Sequence, residues 1–343
     1  MKSIHSIEFQ KQVEDEVKPF LKKRKHAIVA IGIVTKDDQC VLGCGDKGMY
    51  DVESYGDLLF EIGSITKIFT TSMLSLMMHD GLVSVKDSIG HYLLELSKEH
   101  PITLEHLATH SSGIPPKHVV KMWRQYFEKN SQRDPYCAFS IRELHHYLQS
   151  VTSVKRRKFR YSNDGLGLLG KILAHKLGME YETAVIENIC KPLDMPNTVI
   201  KVSSQQRKRL VSGYRKNNMK QQELVMKDFE GAGALRSNIV DMLQFLSAHM
   251  GVRNECEMHE KIISSQQAYI PNGKSADIGL GWLHDKQFKT IWHNGSTHGF
   301  SSFIGFRESR NAGVVVLTNY RTGMFGNTPL SMGFKVLDLL NER

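Results

Sequence analysis

The 343-residue sequence predicts an α/β (α+β) protein. The expected core is an antiparallel sheet formed by the N- and C-terminal segments, flanked by helices, with a helical insertion between them. Three observations point there. Apolar runs at 27–35 and 39–45 surround the polar turn Lys36-Asp37-Asp38-Gln39 and read as a hairpin. Near the C-terminus, Gly279–Leu283, Lys289–His293, Ser301–Arg307 and Gly313–Asn319 read as further strands separated by short turns. From about residue 82 to 200 the pattern is helical. The expected division is residues 1–81 and 201–343 as a sheet domain and 82–200 as a mainly helical one, with the active site at their interface.

Each element has its own signal. Ile7, Val13, Val17, Phe20 and Leu21 predict an amphipathic first helix that runs into Lys22-Lys23-Arg24-Lys25. Ile65, Ile68, Phe69, Leu76 and Met77 keep a helical period from Ser64 to about Asp80-Gly81, where glycine stops helices readily. Thr103 suits the cap of a short helix Leu104–Thr109, and Ser111 to Pro116 form a turn cluster. Helices are expected at Ile141–Leu148, Leu166–Leu177, Ile239–Met250 and Leu330–Leu340, the third preceded by the glycine-rich tract Gly231–Ser237. Met73, Met77 and Met78 suit core packing.

Composition narrows the function classes. Hydrophobic content of 41% and charged content of 24% are those of a globular protein rather than a disordered or membrane-spanning one. The net charge of +9 is bunched in Lys22–Lys25, in Lys155-Arg156-Arg157-Lys158 with Arg160, and in Arg207–Arg209. No nucleic-acid reading module accompanies these runs, so no nucleic-acid partner is expected. Five cysteines, Cys40, Cys44, Cys137, Cys190 and Cys256, fit neither a zinc motif nor a dense disulfide framework. Residues 1–25 are charged throughout and the first apolar run, Ala27–Val34, is eight residues long. Neither a secretory signal nor a membrane span is expected, which predicts reduced thiols and a cytoplasmic protein.

Three strings carry chemistry. In Ser64-Ile65-Thr66-Lys67, a hydroxyl and an amine lie one helical turn apart. A serine needs a base to act as a nucleophile at neutral pH, and a desolvated lysine can supply one. Helix-start N–H groups could then face the developing oxyanion. The second string, Tyr161-Ser162-Asn163, offers a phenol that can accept a proton and an amide that can hold a substrate carbonyl. The third, His293-Asn294-Gly295-Ser296-Thr297-His298-Gly299, ends a strand along which a substrate can lie. His106 and His110 stand four apart and could in principle ligate a metal, but no HExxH and no third ligand accompany them. His145 and His146 point to different helix faces.

Together these strings resemble the serine β-lactamase and penicillin-binding-protein superfamily, and within it the branch of class C β-lactamases, DD-peptidases and esterases. That branch carries S-x-x-K, then Y-x-N, then a K-T-G or H-x-G strand. Phe60–Thr71, Asp87–Leu93, Ile102–Gly113 and Gly231–Ser237 resemble further segments of it, in the same order. The resemblance runs from about residue 26 to the C-terminus. It implies Ser64 as the acylated nucleophile, with Lys67 and Tyr161 as the activating pair. Tyr161 would be the proton acceptor and later the water activator. Asn163, His293, Gly295 and Ser296 would bind substrate, and the Ser64 and Ser296 N–H groups would form the oxyanion hole. It implies no metal and no organic cofactor. Two departures stand out: His293 replaces the lysine of the β-lactamases proper, and Lys155–Lys158 replaces a Pro-Gly loop. H-x-G resembles the esterases, D-amino-acid peptidases and other hydrolases of the branch. The expected substrate is therefore an ester, amide, small peptide or β-lactam, with acyl group, leaving group and oligomeric state left open. The alternative is a non-catalytic binding or scaffold protein that keeps the fold.

Overall fold

A computed structural model describes residues 3–50, 52–114, 141–154, 158–252, 256–272, 276–323 and 326–341. Pro115-Pro116, Cys137 and Lys155-Arg156-Arg157 lie outside the described residues. The strands are β1 Ile28–Thr35, β2 Gln39–Gly45, β3 Phe60–Glu61, β4 Tyr214–Arg215, β5 Met219–Lys220, β6 Arg236–Ser237, β7 Ile270–Asn272, β8 Ala276–Ile278, β9 Leu283–Asp285, β10 Thr290–Ser296, β11 Ser301–Arg307 and β12 Ala312–Thr318. Eight of them form one sheet in the order β2-β1-β12-β11-β10-β9-β8-β7, and every neighbouring pair is antiparallel. The two ends of the chain meet at its centre, where Val29 lies opposite Thr318 and Ile33 opposite Val314.

Alternate residues of a strand face opposite sides, and both sides of this sheet are apolar. Ile28, Ala30, Val315 and Leu317 join the core beneath α2 (Thr66–His79) and the helix Ile239–Met250. Val29, Ile31, Val314 and Val316 join a second core beneath α1 (Ile7–Leu21) and the C-terminal helix Pro329–Asn341. α1 buries Phe9, Val13, Val17 and Phe20, while Ile7 is 85% exposed and plays no part in that face. The first core continues into the helical segment through Leu104 and Leu107 of α3 (Leu104–Ala108) and Leu168, Leu169 and Leu173 of the helix Asn163–Lys176.

The described part of 82–200 carries helices and two isolated bridges, Ser88 to Thr103 and Val199 to Arg236. Three local differences from the sequence reading have physical causes. Ser64 lies in a 3-10 turn, Gly63–Ile65, ahead of α2 rather than at the start of the α-helix itself. Residues 279–282 form a turn and only Leu283 enters a strand, β9, because Leu280 N–H donates to Ser265 O (2.9 Å) and Gly281 N–H to Ala108 O (3.1 Å) rather than to a sheet ladder. The sheet edge is built instead by the short strands β7 and β8, which sequence reasoning passed over. No helix among the described residues is long and apolar enough to cross a membrane.

Candidate active site

Three structural joints bring the site together. β3 pairs with β6, setting Glu61 opposite Arg236 just before the Ser64 turn. Both side chains are buried; Arg236 Nη2 lies 3.7 Å from the Glu61 carboxylate, which also accepts the Leu224 N–H at 2.7 Å. Burial nonetheless pushes the Glu61 carboxyl above its usual range. The second joint is the close approach of the Ser64 turn to β10. Gly63 has φ +53, and a Cβ there would come within 2.8 Å of Ser296 N. A Cβ on Gly295 would stand 2.0 Å from Ile62 O. Ser302 closes the joint by donating to Ile62 O at 2.8 Å. The third joint is the start of the helix Asn163–Lys176, capped by Ser162, whose Oγ accepts the Gly165 N–H.

Ser64 Oγ is held from two sides. Lys67 Nζ donates to it at 3.0 Å and Tyr161 OH donates to it at 2.8 Å. Lys67 also donates to Ala232 O at 2.5 Å and sits 4.9 Å from the centre of the Tyr161 ring. Ala232 belongs to the glycine-rich tract Gly231–Ser237, so that tract supplies a carbonyl that positions the amine.

Lys67 is fully buried, and burial holds its pKa well below that of an ordinary lysine. Two more buried bases face it. His293 is pushed down to about 3 by burial first and by Lys67 second. His110 is pushed well below its usual value by burial, then by Lys67 and His293. No carboxylate stands among the groups that shift these three. In each case burial favours the neutral amine or imidazole over its cation more than water does.

His110 is a residue to which sequence reasoning gave no role at the site. It lies beyond the end of α3, at φ 57, in the left-handed region that non-glycine residues seldom enter. Its carbonyl accepts the Arg160 N–H at 2.7 Å and its Nδ1 accepts the Ser162 N–H at 3.0 Å. Its ring stacks on Tyr161 with centroids 4.4 Å apart. One residue thus grips Tyr161 and both its sequence neighbours. His106, four residues before it, accepts the Thr103 N–H through Nδ1 in a helix cap.

A cavity of about 150 Å³ opens at Ser64, lined also by Gly63, Asn163, Ala232, Gly233, Ser296 and Thr297, and by Leu224, Met226, His298 and Arg321. Of the residues expected to bind substrate, Asn163 and Ser296 are in this lining. His293 is buried with its Nδ1–H donating to Asn294 O at 2.7 Å, and Gly295 is pressed against Ile62. Arg321 escaped sequence reasoning because it follows β12 in a stretch with no motif. Together with Arg215 it acts on His298, whose pKa burial and these two cations push down to about 4.

A Ser, Lys and Tyr in mutual contact, beside a strand and a cavity, is an arrangement suited to acyl transfer. Comparison with known proteins leads to the same group. A β-lactamase from Providencia stuartii is 28% identical over 252 residues, covering 70% of this chain; the chain spans 60% of that protein's length. A D-alanyl-D-alanine-carboxypeptidase/endopeptidase, AmpH of Escherichia coli strain K12, is 26% identical over 311 residues, covering 83% of this chain and 76% of its own. A solved structure of a class C β-lactamase superposes with a TM-score of 0.80 at 21% identity, over 98% of both chains, and shares the fold. The Beta-lactamase family model matches residues 13–330, and the chain belongs to that family, within the serine β-lactamase and penicillin-binding-protein superfamily of serine hydrolases.

Proposed function

We propose that this chain hydrolyses its substrate in two acyl-transfer steps through an acyl-Ser64 intermediate. The observation that carries the reading is the double contact at Ser64 Oγ, 3.0 Å from Lys67 Nζ and 2.8 Å from Tyr161 OH, at the wall of a cavity. For acylation the Ser64 hydroxyl turns its proton toward Nζ, reversing the resting hydrogen bond, and the buried neutral Lys67 amine takes it as Oγ bonds the acyl carbon. Its burial favours it over the part-exposed Tyr161 as the first acceptor. Tyr161 relays that proton to the leaving group as the carbonyl carbon–leaving group bond breaks. Water then attacks the acyl carbon as the same pair takes its proton; the acyl carbon–Ser64 Oγ bond breaks, the pair returns that proton to Oγ, and the carboxylic acid departs. The N–H groups of Ser64 and Ser296 serve as oxyanion donors, and Asn163 as a ligand for a substrate carbonyl or amide.

The substrate in this proposal is an ester, amide, short peptide or β-lactam with an anionic group. Buried His293 is neutral, so it lends the site little positive charge. Arg321, in the lining of the Ser64 cavity, brings a cation from another element. A cytoplasmic setting belongs to the same proposal, supported by the free thiols Cys40, Cys44 and Cys190. The relatives' printed activities, β-lactamase and D-alanyl-D-alanine carboxypeptidase, support the substrate range.

The test is intact-mass spectrometry after incubation with a fluorophosphonate, activated esters, D-amino-acid amides and penicillin. A single covalent adduct on Ser64, absent from Ser64→Ala, is expected, and its mass names the acyl class. An unmodified chain that turns over none of the panel would leave a binding or scaffold role.

A further inference from the structure

A second cavity, of about 390 Å³, lies along the helix Asn163–Lys176 and shares no lining residue with the cavity of about 150 Å³ at Ser64. Its size is that of a small-molecule site. Leu168, Ile172 and Tyr181 give it a buried apolar wall. Its lining also carries four carboxylates, Glu95, Glu180, Asp228 and Glu230, against two lysines, Lys171 and Lys227. Lys171 is already matched to Asp228 at 3.5 Å, and Lys227 is exposed. On a chain of net charge +9 this pocket is locally reversed in sign.

We propose that this cavity is a second binding site for a small organic cation with an apolar body. The ammonium group sits against Glu230 and the hydrocarbon or aromatic part against Leu168, Ile172 and Tyr181. Glu230 suits the task because it is half-buried and, among the described residues, forms no ion pair of the kind Asp228 makes with Lys171. Its carboxyl is pushed up to about 7 by burial, then by Glu182 and Glu180, with Lys201 and Lys171 pulling the other way. Tyr181, which Glu230 in turn influences, lines the cavity with it, as do the titratable groups of Tyr92, His145, His175, Lys227 and Asp228. An ammonium placed there favours the ionised carboxylate, so binding near pH 7 releases a proton. The site adjoins the Ser64 chemistry through one turn. Thr70 Oγ1 donates to Gly231 O at 2.8 Å and lies 2.7 Å from Tyr181 OH, and the next carbonyl, Ala232 O, accepts from Lys67. Occupancy and Ser64 acylation therefore have a short physical path by which to influence each other, and any such influence is reciprocal. The proposal does not depend on the hydrolase reading.

The test titrates 2-phenylethylamine into the full chain carrying Ser64→Ala, by calorimetry at pH 7 in two buffers of different ionisation enthalpy. Saturable one-site binding with proton release is expected. Glu230→Gln should weaken it by about tenfold or more and remove the proton release. Met179→Trp, which fills the cavity from another wall, should abolish binding, and phenylacetate, the anion of like shape, should not bind. Thermal melts establish that both variants fold; if one does not, the other decides. Absent saturation, equal binding in both variants, or phenylacetate binding as tightly as the amine would each overturn the proposal.

Discussion

The centre of the sheet and the cluster of bases behind Ser64 are both buried, yet they bury opposite kinds of group. β1 and β12 present Val29, Ile31, Val314 and Val316 to one core and Ile28, Ala30, Val315 and Leu317 to the other. Their contribution is area removed from water, roughly 25 cal/mol per Å² of apolar surface. The seam buries Lys67, His110 and His293, three bases whose cations would repel one another and which lack a carboxylate among the groups that shift them. Burial of such groups opposes folding unless they stay neutral. The first region holds the molecule together; the second uses that rigidity to hold a buried amine, its pKa lowered, beside a serine.

Substitutions that exchange these two effects break the comparison most sharply. Ser64→Ala and Lys67→Arg should each lower acylation by at least about a thousandfold, the second because a guanidinium stays charged. Neither removes apolar area from the sheet. Leu317→Ala should do the reverse, costing about 2–5 kcal/mol of stability while leaving the labelling rate of folded molecules unchanged. Urea unfolding paired with fluorophosphonate labelling measures both. If Leu317→Ala slowed labelling as much as Lys67→Arg, the two regions would not be separable.

Within the seam, smaller losses should rank the groups. Tyr161→Phe removes the hydroxyl that touches Ser64 and should lower kcat about a hundredfold. His110→Ala leaves that hydroxyl but releases the grip on residues 160–162, and should lower kcat by about tenfold with little change in KM. A structural role for His110 alone would lower the yield of folded protein and leave kcat of the folded fraction intact.

The pH dependence of stability is the smallest effect and the finest probe. An unfolded chain protonates its histidines below their ordinary value of 6.5, whereas folded His293 resists protonation down to about 3. Between those values the unfolded state binds the extra proton, so this contribution is full above 6.5 and fades as pH falls toward 3. His110 acts in the same direction. Glu230 and Asp241, raised to about 7 and about 6, act in the opposite direction as pH rises through their range. The clean readout is therefore a difference: His293→Gln should flatten the loss of stability between pH 6.5 and 4 relative to the unmodified chain, measured by urea unfolding.

Most of the sheet was legible because its signals are local. The β1–β2 hairpin, α1, Ile239–Met250, β11 and β12 follow from apolar period and turn chemistry and lie within a residue or two of the expected positions. β7 and β8 were not, since three residues containing Pro271 or Asp277 carry no period. Gly279–Leu283 misled because buried Trp282 gives a loop the look of a strand. At the site, the spacing of Ser64 and Lys67 was enough to bring the two groups together, since one turn of 3-10 or α-helix does so alike. Ala232 O, His110 and Arg321 depended on long-range folding, and no spacing rule reaches across it.

The central claim is that the amine one turn from Ser64 is neutral at the pH where the protein works. Heteronuclear NMR of the lysine side chains, with Lys67→Arg to assign the signal, measures it directly. The account predicts a Lys67 resonance in the neutral-amine position at pH 7, moving to the ammonium position only at lower pH. An ammonium signal at pH 7 that titrates near 10.5, the ordinary lysine value, would contradict it.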